Sequence, residues 1–343
     1  LTPNEKLASW FRQNSRRLSF RETRNPYKIW VSEIMLQQTR VQAMLPLFDT
    51  FVQKFPDIEA LAKADEEEVL GAWQGLGYYS RAKNLRKAAI QLVRDRNGSF
   101  PRDLDEALAL PGVGPYTARA ILSIAFGISV AVLDGNVKRI LSRFFAFEKP
   151  IGPQSNSDLQ ELADSFLANA DPGLHNEAMM ELGATLCLPK NPKCLLCPLK
   201  DTCLAFLQGK TNSLPLLPKK NPPIEGSLHL FLVRDEGDKI LLVRSQERRF
   251  FKGIPSLPFA WVTSEVSEDP LQLQKKEAKF LGKVKHSITK YKITAQFWSL
   301  KMSHSEAESL FSGNLLDWVE WSHLPRAFPS SLVKKLKDIF DGI

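Results

Sequence analysis

Outside Cys187–Cys203 the 343-residue chain contains no cysteine, so no disulfide can brace any other part of it. It also lacks an apolar run able to cross a bilayer. The longest nearly apolar stretch, Ala120–Leu133, is too short and too interrupted, so no membrane partner is expected. The opening LTPNEKLASWF shows no basic-then-apolar signal pattern, and the expectation is a soluble, cytoplasmic protein. There is no fixed-period repeat, and the charge is not gathered in a tail. Hydrophobic residues at 43% and charged residues at 24% exclude disorder over most of the length.

What the chain does have is a modest basic excess, 46 Lys and Arg against 38 Asp and Glu, giving +8. That balance leans toward an anionic partner such as nucleic acid. Its length suits roughly two domains. A proline- and glycine-rich stretch, GKTNSLPLLPKKNPPIEG at 209–226, reads as the linker between them, giving domains 1–208 and 227–343.

Before the linker the pattern is helical nearly throughout. Thr2 with Glu5 spells a capping box with Pro3 at the first helical position, and Pro26 can open a helix through YKIWVSEIMLQQ. Val41, Leu45, Phe48, Val52 and Phe55 recur at helical spacing, and Ser80 can cap RAKNLRKAAIQLVRDR, which should stop at Asn97-Gly98. After the linker the texture turns β-rich: SLHLFLVRD and KILLVRSQ read as a hairpin, KYKITAQFWSL and DWVEWSHL as strands, SSLVKKLKDIF as a closing helix. The expected fold is a mainly α first domain followed by an α+β second domain.

The four cysteines follow the spacing C-x6-C-x2-C-x5-C, with Pro189, Pro192 and Pro198 stiffening the loop. Two disulfides do not suit a reducing compartment. Structural zinc competes more seriously, although zinc sites usually present two close pairs and this loop has one. An iron-sulfur cluster is wider and tolerates longer arms.

LPGVGPYTARAIL places Gly112 and Gly114 ahead of a helix whose first NH groups are free to meet an anion. The same residues suit a plain helix-turn-helix corner. Glu33 lies among apolar neighbours in IWVSEIMLQQ, where burial would raise its pKa; a solvent-facing helix position is the alternative. Asp134 in VLDGNVKRIL closes an apolar run ahead of a helix and suits an N-cap.

The cysteine spacing, following a G-x-G hairpin in that order, resembles the helix-hairpin-helix DNA glycosylases, which include endonuclease III and the MutY adenine glycosylases. The resemblance implies one four-iron, four-sulfur cluster on Cys187, Cys194, Cys197 and Cys203, and a phosphate-gripping hairpin at Gly112 and Gly114. Lys190, Lys193 and Lys200 would present charge to phosphate around the cluster loop.

PYKIWVSEIMLQQT and LDGNVKR resemble the MutY stretches whose glutamate protonates adenine and whose aspartate stabilises the sugar cation. Glu33 and Asp134 inherit those roles, with Asn136 as a polar helper. Dividing base protonation and cation stabilisation between two carboxyl groups follows the logic of glycoside hydrolysis. Where endonuclease III carries a nucleophilic lysine, this chain has Tyr116, whose phenol cannot form an imine, so base removal without strand cleavage is expected.

LQQT and GLGYYSRAKNL resemble segments that enter the base stack, which implicates Gln38 and Tyr78 with Thr39, Leu76 and Gly77 beside them. Phe20 and Arg21 fall where the family has a Trp-Arg pair near adenine. Glu177 matches the residue near the adenine amino group, with Glu181 as a competing acid. The second domain resembles, more weakly, a Nudix-like domain that recognises 8-oxoguanine. It has no Nudix box, and Ile288, Thr289 and Lys290 replace the family's F-S-H loop, leaving Thr289 as the hydroxyl able to contact the oxidised base.

The expected function is thus an adenine DNA glycosylase acting as a monomer on duplex DNA with adenine mispaired with 8-oxoguanine or guanine, nucleoid-associated if bacterial. The rivals are a pyrimidine-lesion glycosylase like endonuclease III and a DNA-binding scaffold without chemistry.

Overall fold

The computed structural model describes residues 1–218, 222–245, 249–264, 267–268, 278–288, 290–328 and 330–340. Contacts divide the chain into two compact units, Leu1–Lys219 and Lys220–Ile343.

The first unit is built from helices α1 (Pro3–Asn14), α2 (Pro26–Leu36), α3 (Val41–Lys54), α4 (Ile58–Lys63), α5 (Glu66–Ala72), α6 (Ser80–Arg96), α7 (Leu104–Leu108), α8 (Pro115–Phe126), α9 (Gly135–Phe144), α10 (Asn156–Leu167), α11 (Pro172–Thr185) and α12 (Leu204–Leu207). The predicted capping box opens α1: the Glu5 NH reaches the Thr2 hydroxyl at 3.2 Å, and the Thr2 NH reaches the Glu5 carboxylate at 2.7 Å. Asn25, rather than a proline alone, starts α2 by accepting from the NH groups of Tyr27 and Lys28. Helix α2 ends at Leu36, so Gln37 to Thr39 form a turn and not the continued helix the pattern suggested. Ser80 is the first helical residue of α6, not its cap; the N-cap is Tyr79, which makes no side-chain capping bond. The stop at Asn97 is as expected, a left-handed residue at φ 49°.

Helix α2 positions the site. Tyr27 and every residue from Ile29 to Met35 are buried, because α2 is packed by α3, α6 and α8 together. A helix enclosed on all sides has no solvent face on which to place a polar side chain, so Glu33 goes inside with Trp30 and Met35.

In the second unit, strand β1 (Ile224–Arg234) runs parallel to β6 (Tyr291–Lys301) along its whole length, from Ile224 opposite Tyr291 to Arg234 opposite Lys301. Its other edge is shared by β3 (Phe259–Val262), with Leu228 opposite Trp261, and by β2 (Ile240–Arg244), where Arg234 opposes Ile240 across the predicted hairpin. Strand β5 (Lys279–Ile288) pairs with β6, β7 (Leu315–Val319) with β2, and the short β4 (Ser267–Glu268) with β3. Leu228, Leu230 and Leu232 feed one core, while Phe231 and Val233 feed another on the opposite face, as a period of two requires. Helices α13 (His304–Leu310), α14 (Leu324–Ala327) and α15 (Ser331–Phe340) complete an α+β unit. The proline-rich stretch is tied to the helical unit at its start, where Arg143 donates to the Leu214 carbonyl at 2.8 Å and Ile151 to that of Leu216 at 2.8 Å.

Candidate active site

A cavity of about 550 Å³ opens in the helical unit. Glu33 from α2, Tyr116 from the first turn of α8, Asp134 and Asn136 from the start of α9, and Glu177 and Met180 from α11 all line it, with Phe20, Arg21, Gln38 and Thr39 at its walls. The structure therefore brings together the four residues expected to carry chemistry and most of those expected near the base.

Glu33 is only 5% exposed, and the Tyr116 hydroxyl donates to its Oε2 at 2.7 Å. Burial raises its pKa to about 7; Tyr116 and the Arg21 guanidinium oppose the rise, while Asp134 and Glu177 add to it. Tyr116 itself is pushed well above the ordinary phenol value by burial and by the carboxyl groups of Glu33 and Asp134. Its oxygen also lies 3.0 Å from Met180 Sδ.

Asp134 is the N-cap of α9, as its sequence setting suggested, with Oδ1 accepting from the Val137 NH at 2.7 Å. The other oxygen accepts from the Asn136 side chain at 3.1 Å. Burial moves its pKa upward, and the NH groups of Val137 and Asn136, the Asn136 amide and Arg139 hold that rise in check. The two carboxyl groups thus have different supports: a phenol for Glu33, a helix terminus with three NH donors for Asp134.

Arg21 lines the cavity, but its Nη1 is engaged at 2.8 Å by Glu181, whose side chain has no exposure. Arg16 grips the same carboxylate through Nε at 2.6 Å and Nη2 at 2.8 Å. Burial alone would raise Glu181, yet the two guanidinium groups overcome it and hold the carboxyl below its ordinary value. Glu177, paired with Arg24 at 3.2 Å, is instead raised by burial and faces the cavity. Glu177 thus stands at the cavity wall, while Glu181 is not among the lining residues and anchors Arg21.

Some predicted contacts fall elsewhere. Leu76 is 6% exposed, so its side chain belongs to the core and not to a DNA-facing surface; only its backbone joins the turn. Gly77 (φ 65°) and Tyr78 (φ 47°) form that turn, and the Tyr78 ring is 62% exposed. Gly112 is left-handed at φ 79°, and a Cβ there would meet Asn84 Cβ at 2.8 Å. Gly114 is not left-handed: at φ −92° it is the extended N-cap of α8 with no side-chain cap, leaving first-turn NH groups without an intrahelical partner. Thr289 lies outside the described residues.

Sequence reasoning missed Arg139 and Gly183. Arg139 donates to Asn136 Oδ1 at 2.9 Å, the Gly183 carbonyl at 2.8 Å and the Cys187 carbonyl at 2.7 Å, joining the cavity to the cysteine loop. A Cβ at Gly183 would stand 2.5 Å from Asn136 Cβ, so only glycine lets α9 start so close to α11. A lone glycine inside the helical run EAMMELGAT was the available signal.

All four cysteines are free thiols that line a single small cavity, together with Ile140, Leu186, Leu199 and Phe206. Among the described residues no group of three His, Cys, Asp or Glu side chains is gathered as for one metal ion. Arg143 Nη1 approaches Cys187 Sγ at 3.4 Å, a donor suited to a thiolate. Burial pushes Cys197 up to about 12 against the Leu199 NH, with the neighbouring thiols adding to the rise, and burial raises Cys194 and Cys203 in the same direction. An apolar pocket ringed by four thiols with a charged donor fits a polynuclear cluster.

Helices that place two carboxyl groups in one cavity beside a hairpin and a cysteine loop define a base-excision DNA glycosylase. Residues 31–164 match the family described as HhH-GPD superfamily base excision DNA repair protein. A solved thermostable thymine-DNA glycosylase is 28% identical, with a TM-score of 0.54 over 60% of this chain and 94% of its own. Endonuclease III bound to DNA, at 23% identity and a TM-score of 0.51, shares the fold over 61% of this chain and 98% of its own. An adenine DNA glycosylase of Buchnera aphidicola is 35% identical, covering 74% of this chain and 72% of that protein. One of Mus musculus is 31% identical over 98% of this chain and 77% of that protein, an alignment that extends through the second unit. The chain belongs to the adenine DNA glycosylase family.

Proposed function

We propose that the protein removes adenine from duplex DNA where it stands opposite 8-oxoguanine or guanine, by hydrolysis of the N-glycosidic bond and without cutting the strand. The observation that carries this reading is the convergence of Glu33 and Asp134 on one cavity with Tyr116, a residue with no amine, hydrogen-bonded to Glu33.

Departure of a base leaves an oxocarbenium-like sugar, so the reaction needs a proton on the leaving purine and negative charge beside the sugar. Glu33, with a pKa of about 7, carries that proton at neutral pH and, once ionised, draws a proton from the attacking water. Asp134, held by the α9 terminus and Asn136, faces the cation. Glu177 accepts from the adenine amino group, and Gln38 and Tyr78 fill the space the base leaves.

Cys187, Cys194, Cys197 and Cys203 hold one four-iron, four-sulfur cluster. Bound, it supplies rigidity rather than chemistry, and exposed Lys190 and Lys193 on the same loop meet phosphate. The second unit, read as Nudix-like, contacts the partner base, and the enzyme acts as a monomer in the compartment that holds the DNA.

The test is a duplex with adenine opposite 8-oxoguanine, analysed with and without hot alkali. Adenine release with breakage only after alkali is the expected result. Breakage without alkali assigns lyase chemistry, and binding without release leaves a scaffold; either outcome removes the proposal.

A further inference from the structure

The two turns that carry Gln38 and Tyr78 are distant in sequence, yet one guanidinium spans both. Arg81, in the first turn of α6, donates from Nη1 to the carbonyls of Ile34 at 2.8 Å, Met35 at 3.1 Å and Gln37 at 2.6 Å. From Nη2 it reaches the carbonyls of Leu76 at 3.0 Å and Gly77 at 3.1 Å, with the Thr39 hydroxyl at 3.5 Å. The first group consists of the unpaired carbonyls at the end of α2 and the turn that follows; the second is the backbone just before Tyr78. Trp73 adds a second tie, its indole donating to the Gly77 carbonyl at 3.2 Å. The guanidinium lies 5.5 Å from the Trp73 ring centroid and 5.7 Å from that of Tyr78.

This arrangement is more than a helix cap. Both tips hold a non-glycine residue in the left-handed region, Gln38 at φ 59° and Tyr78 at φ 47°, each costing on the order of 1 kcal/mol. The second tip also leaves a tyrosine ring largely in water. Folding gains little from a strained turn that presents an aromatic face to solvent, whereas a base stack that must be opened gains a ready-made insert. A tip already fixed before contact loses no ordering entropy when it enters.

We propose that Arg81 is the positioning residue that joins the Gln37–Thr39 and Leu76–Tyr78 turns into one rigid wedge, so that both enter the DNA together as adenine is extruded. The proposal rests on the reading of the protein as an adenine glycosylase. Its chemistry is particular to arginine: a planar fork reaches two separate groups of carbonyls, while a lysine ammonium is a single point.

The experiment uses the full chain as wild type, Arg81→Gln and Arg81→Lys, with a duplex carrying 2-aminopurine beside an adenine opposite 8-oxoguanine. Stopped-flow fluorescence reads extrusion, and single-turnover adenine release reads the chemistry in the same mixture. Both variants are expected to slow the fluorescence rise at least tenfold and to slow release in step with it, while thermal melting shows both still folded at the assay temperature. Extrusion at the wild-type rate, full rescue by Arg81→Lys, or loss of the fold in both variants each overturns the proposal. Wild-type protein that releases no adenine overturns the glycosylase reading itself, an outcome distinct from any result with the variants.

Discussion

The Tyr116 hydroxyl stands 2.7 Å from Oε2 of Glu33, and it works against the burial that otherwise governs that carboxyl. A donor aimed at a carboxylate favours the ionised form, so Tyr116 keeps Glu33 from being locked as an acid and lets it both give and take a proton near neutrality. Tyr116→Phe removes the donor and leaves the ring. Glu33 then holds its proton to higher pH, and the alkaline limb of the base-release profile moves upward. The maximal rate falls roughly tenfold, as loss of one orienting hydrogen bond of about 1 to 1.5 kcal/mol implies. A pH–rate profile checks both, and a limb that moves downward contradicts the assigned direction.

Glu33→Gln separates catalysis from stability. Without a transferable proton, single-turnover adenine release should fall by at least about a hundredfold. Stability should change in the opposite sense. The folded pKa of about 7 lies above the ordinary 4.5, so the protonated form favours the fold below that lower value, and this support is lost as pH rises through 7. Above it, wild type carries a buried charge worth about 3 kcal/mol at 1.36 kcal/mol per unit. Urea unfolding at pH 8.5 should therefore find Glu33→Gln more stable by up to about 3 kcal/mol, with little difference at pH 5.

The helices were legible wherever local chemistry decides them: the Thr2 capping box, the Asn97 stop and the Asp134 N-cap are each carried by neighbouring residues within one helical turn. Glu33 shows where that reading needed help. The apolar neighbours in its segment made burial conceivable, but enclosure by α3, α6 and α8 is a tertiary fact. Strand pairing was harder still, because β1 and β6 are parallel partners separated by nearly half of the second unit, and nothing local marks such a crossover. Arg81, Arg139 and Arg143 escaped notice for the same reason. A guanidinium that binds distant carbonyls looks, in sequence, like any helix-face cation.

Arg139 invites its own experiment. It is 8% exposed and donates to Asn136, Gly183 and Cys187, so Arg139→Ala strands three acceptors at once. The cost should be roughly 3 kcal/mol of stability, read by denaturant unfolding. Because the lost bonds lie between Asp134's partner and the cysteine loop, two further signals should move together: adenine release slows, and chelator bleaches the visible absorption of the proposed cluster faster than in wild type. A slower rate with unchanged bleaching separates the cavity from the loop and removes the link.

Glu181 gives the converse of Tyr116. Its carboxylate has no exposure and is held by Arg16 and Arg21, and Arg21 is only 14% exposed while Arg16 is 42% exposed. Glu181→Gln keeps the shape and removes the charge, so the loss falls chiefly on Arg21, at roughly 3 to 5 kcal/mol for one partner of a buried pair. The folded Glu181 carboxyl titrates below its ordinary value, so its contribution is present above about pH 4.5 and is lost as pH falls through the folded value. The difference between wild type and variant should accordingly shrink on acidification, which unfolding at pH 7 and pH 3.5 would show. At the cavity the sign reverses relative to Tyr116→Phe: with its counter-charge gone, Arg21 acts more strongly on Glu33 and lowers its pKa, and the alkaline limb of base release moves to lower pH. Equal profiles for Glu181→Gln and wild type would mean that Arg21 swings away from the cavity instead, and adenine contacts assigned to it would have to be given to another residue.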